Sequence, residues 1–176
     1  MTWILMTYKV PPEPAAKRVA LWRKLKGMGA VYLQNGVCLL PETEEHMRQL
    51  KMLENDAAKM GGETVLLVTK SLDKTQDQKV IARFKADRDD QYREFIGKCD
   101  AFEAEIAKEI AKQKFTYAEL EEEDNDLKKL QSWIGKITAL DFYGAPLAAT
   151  ASERMTSCEK LLADYAQRVF DANQGL

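Results

Sequence analysis

The sequence predicts an α+β fold: a ferredoxin-like split βαβ unit (βαββαβ) followed by an all-helical C-terminal layer of about three helices. Three observations carry this reading. Apolar, β-forming runs alternate with helical stripes over residues 1–70 in the order strand, helix, strand, strand, helix, strand. The two middle runs are separated only by Gln34-Asn35-Gly36, a spacing that leaves room for a hairpin turn and nothing longer. Beyond residue 78 the apolar residues recur only at steps of three or four. The expected organisation is a ferredoxin-like domain over 1–70, a polar linker over 71–78, and a helical region over 79–176, packed on the sheet or forming a small bundle.

Each element has its own signal. Trp3–Tyr8 is apolar and β-forming, and the prolines at 11, 12 and 14 end it, because proline supplies no N–H for a ladder. Leu21, Trp22, Leu25 and Met28 recur at helical spacing, with Gly29 at the expected stop. Val31-Tyr32-Leu33 and Val37-Cys38-Leu39-Leu40 flank the Asn-Gly turn, whose residues tolerate the positive φ that tight hairpins need. Thr43 is placed to cap a second helix, with Glu44 and Glu45 at its positive end and an apolar series from Met47 to Met60. Glu63–Thr69 is a short β-branched run, the fourth strand.

In the second part, one stripe runs from Ile81 to Ile110, with a break expected near Asp87–Asp90. A second helix starts near Thr116, and a third carries Met155, Cys158, Leu162, Tyr165 and Val169 after the Asp141–Pro146 loop. The acidic run Glu119, Glu121, Glu122, Glu123, Asp124 falls in first turns, where the helix dipole favours it without a metal.

Composition excludes several classes. With 45% hydrophobic and 31% charged residues the chain is globular in type, and no apolar run approaches the roughly 20 residues of a membrane span. The first residues lack a basic region and a cleavage site, so the expected reading is a core strand in a cytoplasmic protein. Cys38, Cys99 and Cys158 are odd in number and in apolar contexts, which fits buried thiols and not a disulfide framework. With His46 the single histidine, no metal and no cofactor are expected. There is no phosphate loop, no Gly-x-Ser-x-Gly and no Cys-x-x-Cys, so hydrolase and nucleotide-enzyme readings rank low. The carboxylates at Glu103, Glu105 and Glu109 read as a solvated helix face.

Charge is uneven. Residues 1–70 hold ten Lys/Arg against seven Asp/Glu, and residues 71–176 hold sixteen against twenty-one. Lys17, Arg23, Lys24 and Lys26 make the first helix a basic ridge, with no acidic residue between Glu13 and Glu42. These four are the candidate DNA contacts. Arg18 and Arg88 fall on apolar stripes, so each is expected to point inward. A guanidinium held away from water needs a carboxylate or a bound oxyanion beside it, which leaves two readings open: an oxyanion site, or a clamp onto the acidic run.

The stretch YKVPPEPAAKRVALWRKLKGMGAVYLQNGVCLLP, continued by YREF, TYAELEEE and FYGAP, resembles the N-terminal region of the chromate-resistance regulatory protein family ChrB. The resemblance implies a regulatory or sensor module with chromate-responsive control of transcription, in which Lys17, Arg18, Arg23 and Lys24 contact DNA or an oxyanion. Full-length members of that family carry a further C-terminal domain, so a separate partner domain of that type is expected. A weaker likeness runs to the phenylacetate-catabolism repressors and to the small CRISPR adaptation proteins, both acting on or near nucleic acid. In the CRISPR group the first strand tends to end in Tyr-Asp, whereas here it ends in Tyr8-Lys9, and lysine does not ligate magnesium. The leading reading is a non-enzymatic regulatory module. A repressor-type DNA-binding domain and an oxyanion-directed redox enzyme are the alternatives.

Overall fold

A computed structural model describes residues 1–174. Its elements are β1 (Thr2–Lys9), α1 (Ala15–Gly27), β2 (Val31–Gln34), β3 (Val37–Pro41), α2 (Glu44–Lys59), β4 (Glu63–Lys70), α3 (Lys74–Ala111), α4 (Tyr117–Ala139) and α5 (Ala148–Ala172). The βαββαβ order is present, and the four strands form one antiparallel sheet in the order β2-β3-β1-β4, the ferredoxin-like arrangement. The chain divides into two compact units, Met1–Asp87 and Arg88–Leu176.

In the first unit β1 is the central strand, pairing with β3 from Trp3 opposite Pro41 to Thr7 opposite Val37, and with β4 along its whole length. Side chains alternate between faces. Ile4, Met6, Cys38 and Leu40 are buried on one face and Trp3 and Leu39 on the other, so both faces are covered at their centre. β4 is an outer strand paired only with β1, and its Val65, Leu67 and Val68 are about half exposed. At the hairpin only Gly36 takes a positive φ, at 72°, and the register shifts between Tyr32 and Gln34. Asn35 therefore stays in an ordinary conformation, and the turn needs its glycine alone.

The starts of α2 and α4 follow the capping signals. The Thr43 hydroxyl accepts from the His46 N–H at 3.0 Å, and Thr116 from the Glu119 N–H at 3.3 Å. The connection after β4 is shorter than the 71–78 linker expected. Asp73 Oδ1 accepts from the Gln76 N–H at 3.0 Å, so the helix starts at Lys74. Nor does the helix break near Asp87–Asp90. It runs unbroken for 38 residues, and the unit boundary falls inside it.

The second unit is built on a repeat of seven. Along the part of α3 in this unit the buried positions are 88, 92, 95, 99, 102, 106 and 109; along α5 they are 151, 155, 158, 162, 165 and 169; on α4 they are 123, 127, 130 and 137. Steps of four and three alternate as they do in the seam of a coiled coil, where the helices mesh side by side. Phe95, Cys99, Ile106, Cys158, Tyr165 and Val169 are at or below 1% exposure in one core. Three seam positions carry charge instead of hydrocarbon: Arg88, Glu109 and Glu123.

Candidate functional site

Beside α1 the first unit opens a groove of about 510 Å³, lined by Tyr8, Lys9 and Val10 from the end of β1, Arg18, Val19 and Trp22 from α1, and Asn35 and Gly36 from the hairpin turn. Two glycine turns pack against the strand end that lines it. The Tyr8 N–H donates to the Gly36 carbonyl at 2.8 Å, and a Cβ on Gly36 would stand 2.5 Å from the Tyr8 carbonyl oxygen. A Cβ on Gly62 would meet Val10 Cγ1 at 2.7 Å and the Lys9 oxygen at 2.9 Å. Any side chain at either position pushes the end of β1 away, so both turns close on this strand end only as glycine.

The groove carries two cations, Lys9 and Arg18, and an indole. Tyr8 and Tyr32 share a 2.7 Å hydroxyl hydrogen bond with their rings edge to face at 6.4 Å, and burial raises both phenols further above neutrality. They supply neutral hydroxyls, not phenolates. α1 begins at Pro14 with no side-chain cap and with no acidic residue in its first turn, so the positive end of its dipole is left uncompensated. In the groove, cations and an aromatic plane together suit an anion or a phosphate-bearing chain.

The expected inward placement of Arg18 is corrected: the side chain is exposed, and so is Trp22, at 49%. Only Leu21 and Leu25 of α1 are buried. The wheel angle gives a direction from the axis and says nothing of where along the axis the neighbour ends. Arg18 lies in the first turn, beside the end of β1, and so faces the groove instead of the sheet. Of the other basic residues, Lys17 and Arg23 are exposed, whereas Lys24 pairs with Asp56 at 3.0 Å and Lys26 with Asp87 at 3.1 Å. Lys9, Trp22 and Asn35 were not singled out from the sequence as site residues. Their proximity comes from the antiparallel return of the hairpin, which no spacing along the chain displays.

Arg88 does point inward, at 3% exposure, in the second unit. It is not among the residues lining the groove. Its Nη1 donates to the Leu140 carbonyl at 3.4 Å, at the C-terminus of α4 where the dipole favours a cation. Nearby, the Tyr92 hydroxyl donates to Asp141 Oδ2 at 2.9 Å, and Asp141 also accepts from the Ala145 N–H at 2.9 Å. Through these bonds Asp141 ties the α4–α5 loop to α3. Glu109, expected on a solvated helix face, is instead buried at 4% exposure, and Glu123 of the acidic run is buried at 2%.

The three cysteines are free and buried. Burial pushes the Cys38 and Cys158 thiols up to about 12 and raises Cys99 as well. Among the described residues no group of His, Cys, Asp and Glu is arranged to hold a metal ion, and no helix is long and apolar enough to cross a membrane. His46 Nδ1, in the first turn of α2, lies 2.8 Å from the Pro41 carbonyl at the end of β3.

Fold and groove together define a two-unit α+β protein: a ferredoxin-like sheet that presents a basic helix, and a helical unit with a coiled-coil-like seam. The chain belongs to the ChrB N-terminal family, whose model, described as Protein ChrB, N-terminal, matches residues 18–176. It is 31% identical over 94 residues to Protein ChrB of Cupriavidus metallidurans strain CH34, a match that takes in 53% of this chain and 28% of that protein.

Proposed function

We propose that this chain is a regulatory module of chromate resistance that binds DNA phosphates through α1. One observation carries the reading: Lys17, Arg18 and Arg23 are exposed on a helix whose first turn has neither a cap nor an acidic residue. Such a helix offers salt-sensitive, sequence-tolerant attraction to a phosphate backbone. Lys24 and Lys26 are secondary, because each must first release its carboxylate. The test is fluorescence anisotropy of a labelled duplex over a salt series. The double variant K17E/R23E should weaken binding evenly across sequences and flatten the slope of log K against log salt by about one for each phosphate no longer neutralised. Absence of binding at low salt by the unaltered chain sinks the proposal.

The groove supports the oxyanion half of the reading. Arg18 and Lys9, lining one groove, form a place for a dianion such as chromate or sulfate. A dianion held there should raise the melting temperature with concentration, and R18M should remove the shift. The oxyanion-redox alternative has less support. Each thiol among the described residues is buried and held protonated, and the thiolate is the reactive form.

A further inference from the structure

The second unit holds a different kind of cavity, about 410 Å³ between α3 and α4. Its walls are Phe102, Leu130 and Trp133, and Glu105, Glu123 and Asp126 line it with them. Its size falls within the roughly 300–1,000 Å³ of small-molecule sites. Glu123 is 2% exposed, and its Oε2 is buried with no hydrogen-bond partner. A buried carboxylate oxygen without a donor is costly, so either the group stays neutral or something brings it a positive charge.

The surroundings decide which charge fits. Glu105 and Glu109 face Glu123 from α3, and Glu122 and Asp126 from α4; with burial as the first cause, they raise its pKa to about 7. From α5 comes the Tyr165 hydroxyl, which donates to the Lys114 carbonyl at 2.6 Å. Of the two pocket lysines, Lys129 is 3.7 Å from Asp126, and Lys98 is exposed on α3. An anion would enter a field of five carboxylates. A neutral guest that donates nothing would leave Oε2 as it is. A bare metal ion would lack a ligand set among the described residues.

We infer that this cavity is a binding site for an organic monocation, a protonated amine on an apolar or aromatic body, with Glu123 as counter-ion and Trp133 and Phe102 as walls. The indole and phenyl faces attract a cation electrostatically, and the same rings bury its hydrocarbon. Binding requires Glu123 ionised, so affinity rises with pH, by up to tenfold per unit below about pH 7, and levels off above it.

The probe is benzylammonium, compared with neutral benzyl alcohol and anionic benzoate of similar shape, titrated calorimetrically into the full chain at about pH 8, above the range in which Glu123 takes up its proton. Benzylammonium should bind at least tenfold more tightly than benzyl alcohol, and benzoate should not bind. E123Q should remove the preference for the cation, and E159Q, on α5 away from this cavity, should leave it unchanged. The pH slope is read on the unaltered chain and so decides independently of how E123Q folds. Equal binding of alcohol and ammonium, a pH-flat affinity, or no binding of benzylammonium at ~10 mM, the weak end of fragment affinities, overturns the inference.

Discussion

The two units handle charge in opposite ways. Among the described residues the buried charged side chains are Arg88, Glu109 and Glu123, and all three lie in the second unit; the first buries none. The first keeps its cations at the surface of α1, free or in half-exposed pairs with Asp56 and Asp87. Surface charge acts at a distance and is screened by salt. Interior charge is shielded from salt but bound to protonation, because burial moves its pKa. The first unit should therefore respond to ionic strength and the second to pH.

The largest effect that would break this contrast is at Arg88. R88M removes a buried guanidinium from the C-terminus of α4 and should cost on the order of 3 kcal/mol, read as a lower urea midpoint, with R88K intermediate because the ammonium lacks the planar fork. An unchanged midpoint would show that the seam arginine is dispensable.

Next is Glu123, whose folded pKa of about 7 lies above the ordinary carboxyl value of 4.5. Between those values the native state holds a proton that the unfolded chain releases. The stability this group contributes is thus complete below about pH 4.5 and is lost as pH rises through 7, by on the order of 3 kcal/mol. E123Q should flatten that fall and leave the protein more stable than its parent at about pH 8. A fall of unchanged size in E123Q assigns the pH response elsewhere.

Smaller still is the stability effect of R18E, expected within about 0.5 kcal/mol because the side chain is exposed, while its DNA affinity drops and its salt slope flattens. A large loss of stability would mean that the groove arginine is structural after all. The smallest effect sharpens the comparison from the side of the thiols. Native labelling of Cys38, Cys99 and Cys158 by a maleimide should be slow in both units, and fast modification of any one would revive the redox reading.

Most of the fold was legible because its signals are local. Alternating β-runs, the Asn-Gly turn, Thr43 and Thr116 each act within a few residues, and the element order follows. The short connection after β4 was missed although Asp73 is itself a cap residue, because the surrounding polar run read as irregular. The buried carboxylates were also on view. Glu123 stands four before Leu127, and Glu109 three after Ile106, both on the seam of seven. Stepping from Ile106 to Ile110 instead follows hydrophobicity and skips the charged seam position. Placing Glu123 in a dipole-favoured first turn accounts for its charge and leaves its direction out. The groove was not legible in the same way, since Lys9, Arg18 and Asn35 meet only when the sheet is assembled.

The outer strand β4 has a consequence for the protein in bulk. Its eight residues read Glu-Thr-Val-Leu-Leu-Val-Thr-Lys, with a cohesive middle half exposed and one charge of each sign at the ends. In a concentrated solution such a strand can template growth by adding further strands, and Glu63 and Lys70 act as gatekeepers against it. Colloidal behaviour should then hinge on two terminal charges: E63T/K70T should turn a clear stock cloudy and thioflavin-positive on storage while melting much like its parent.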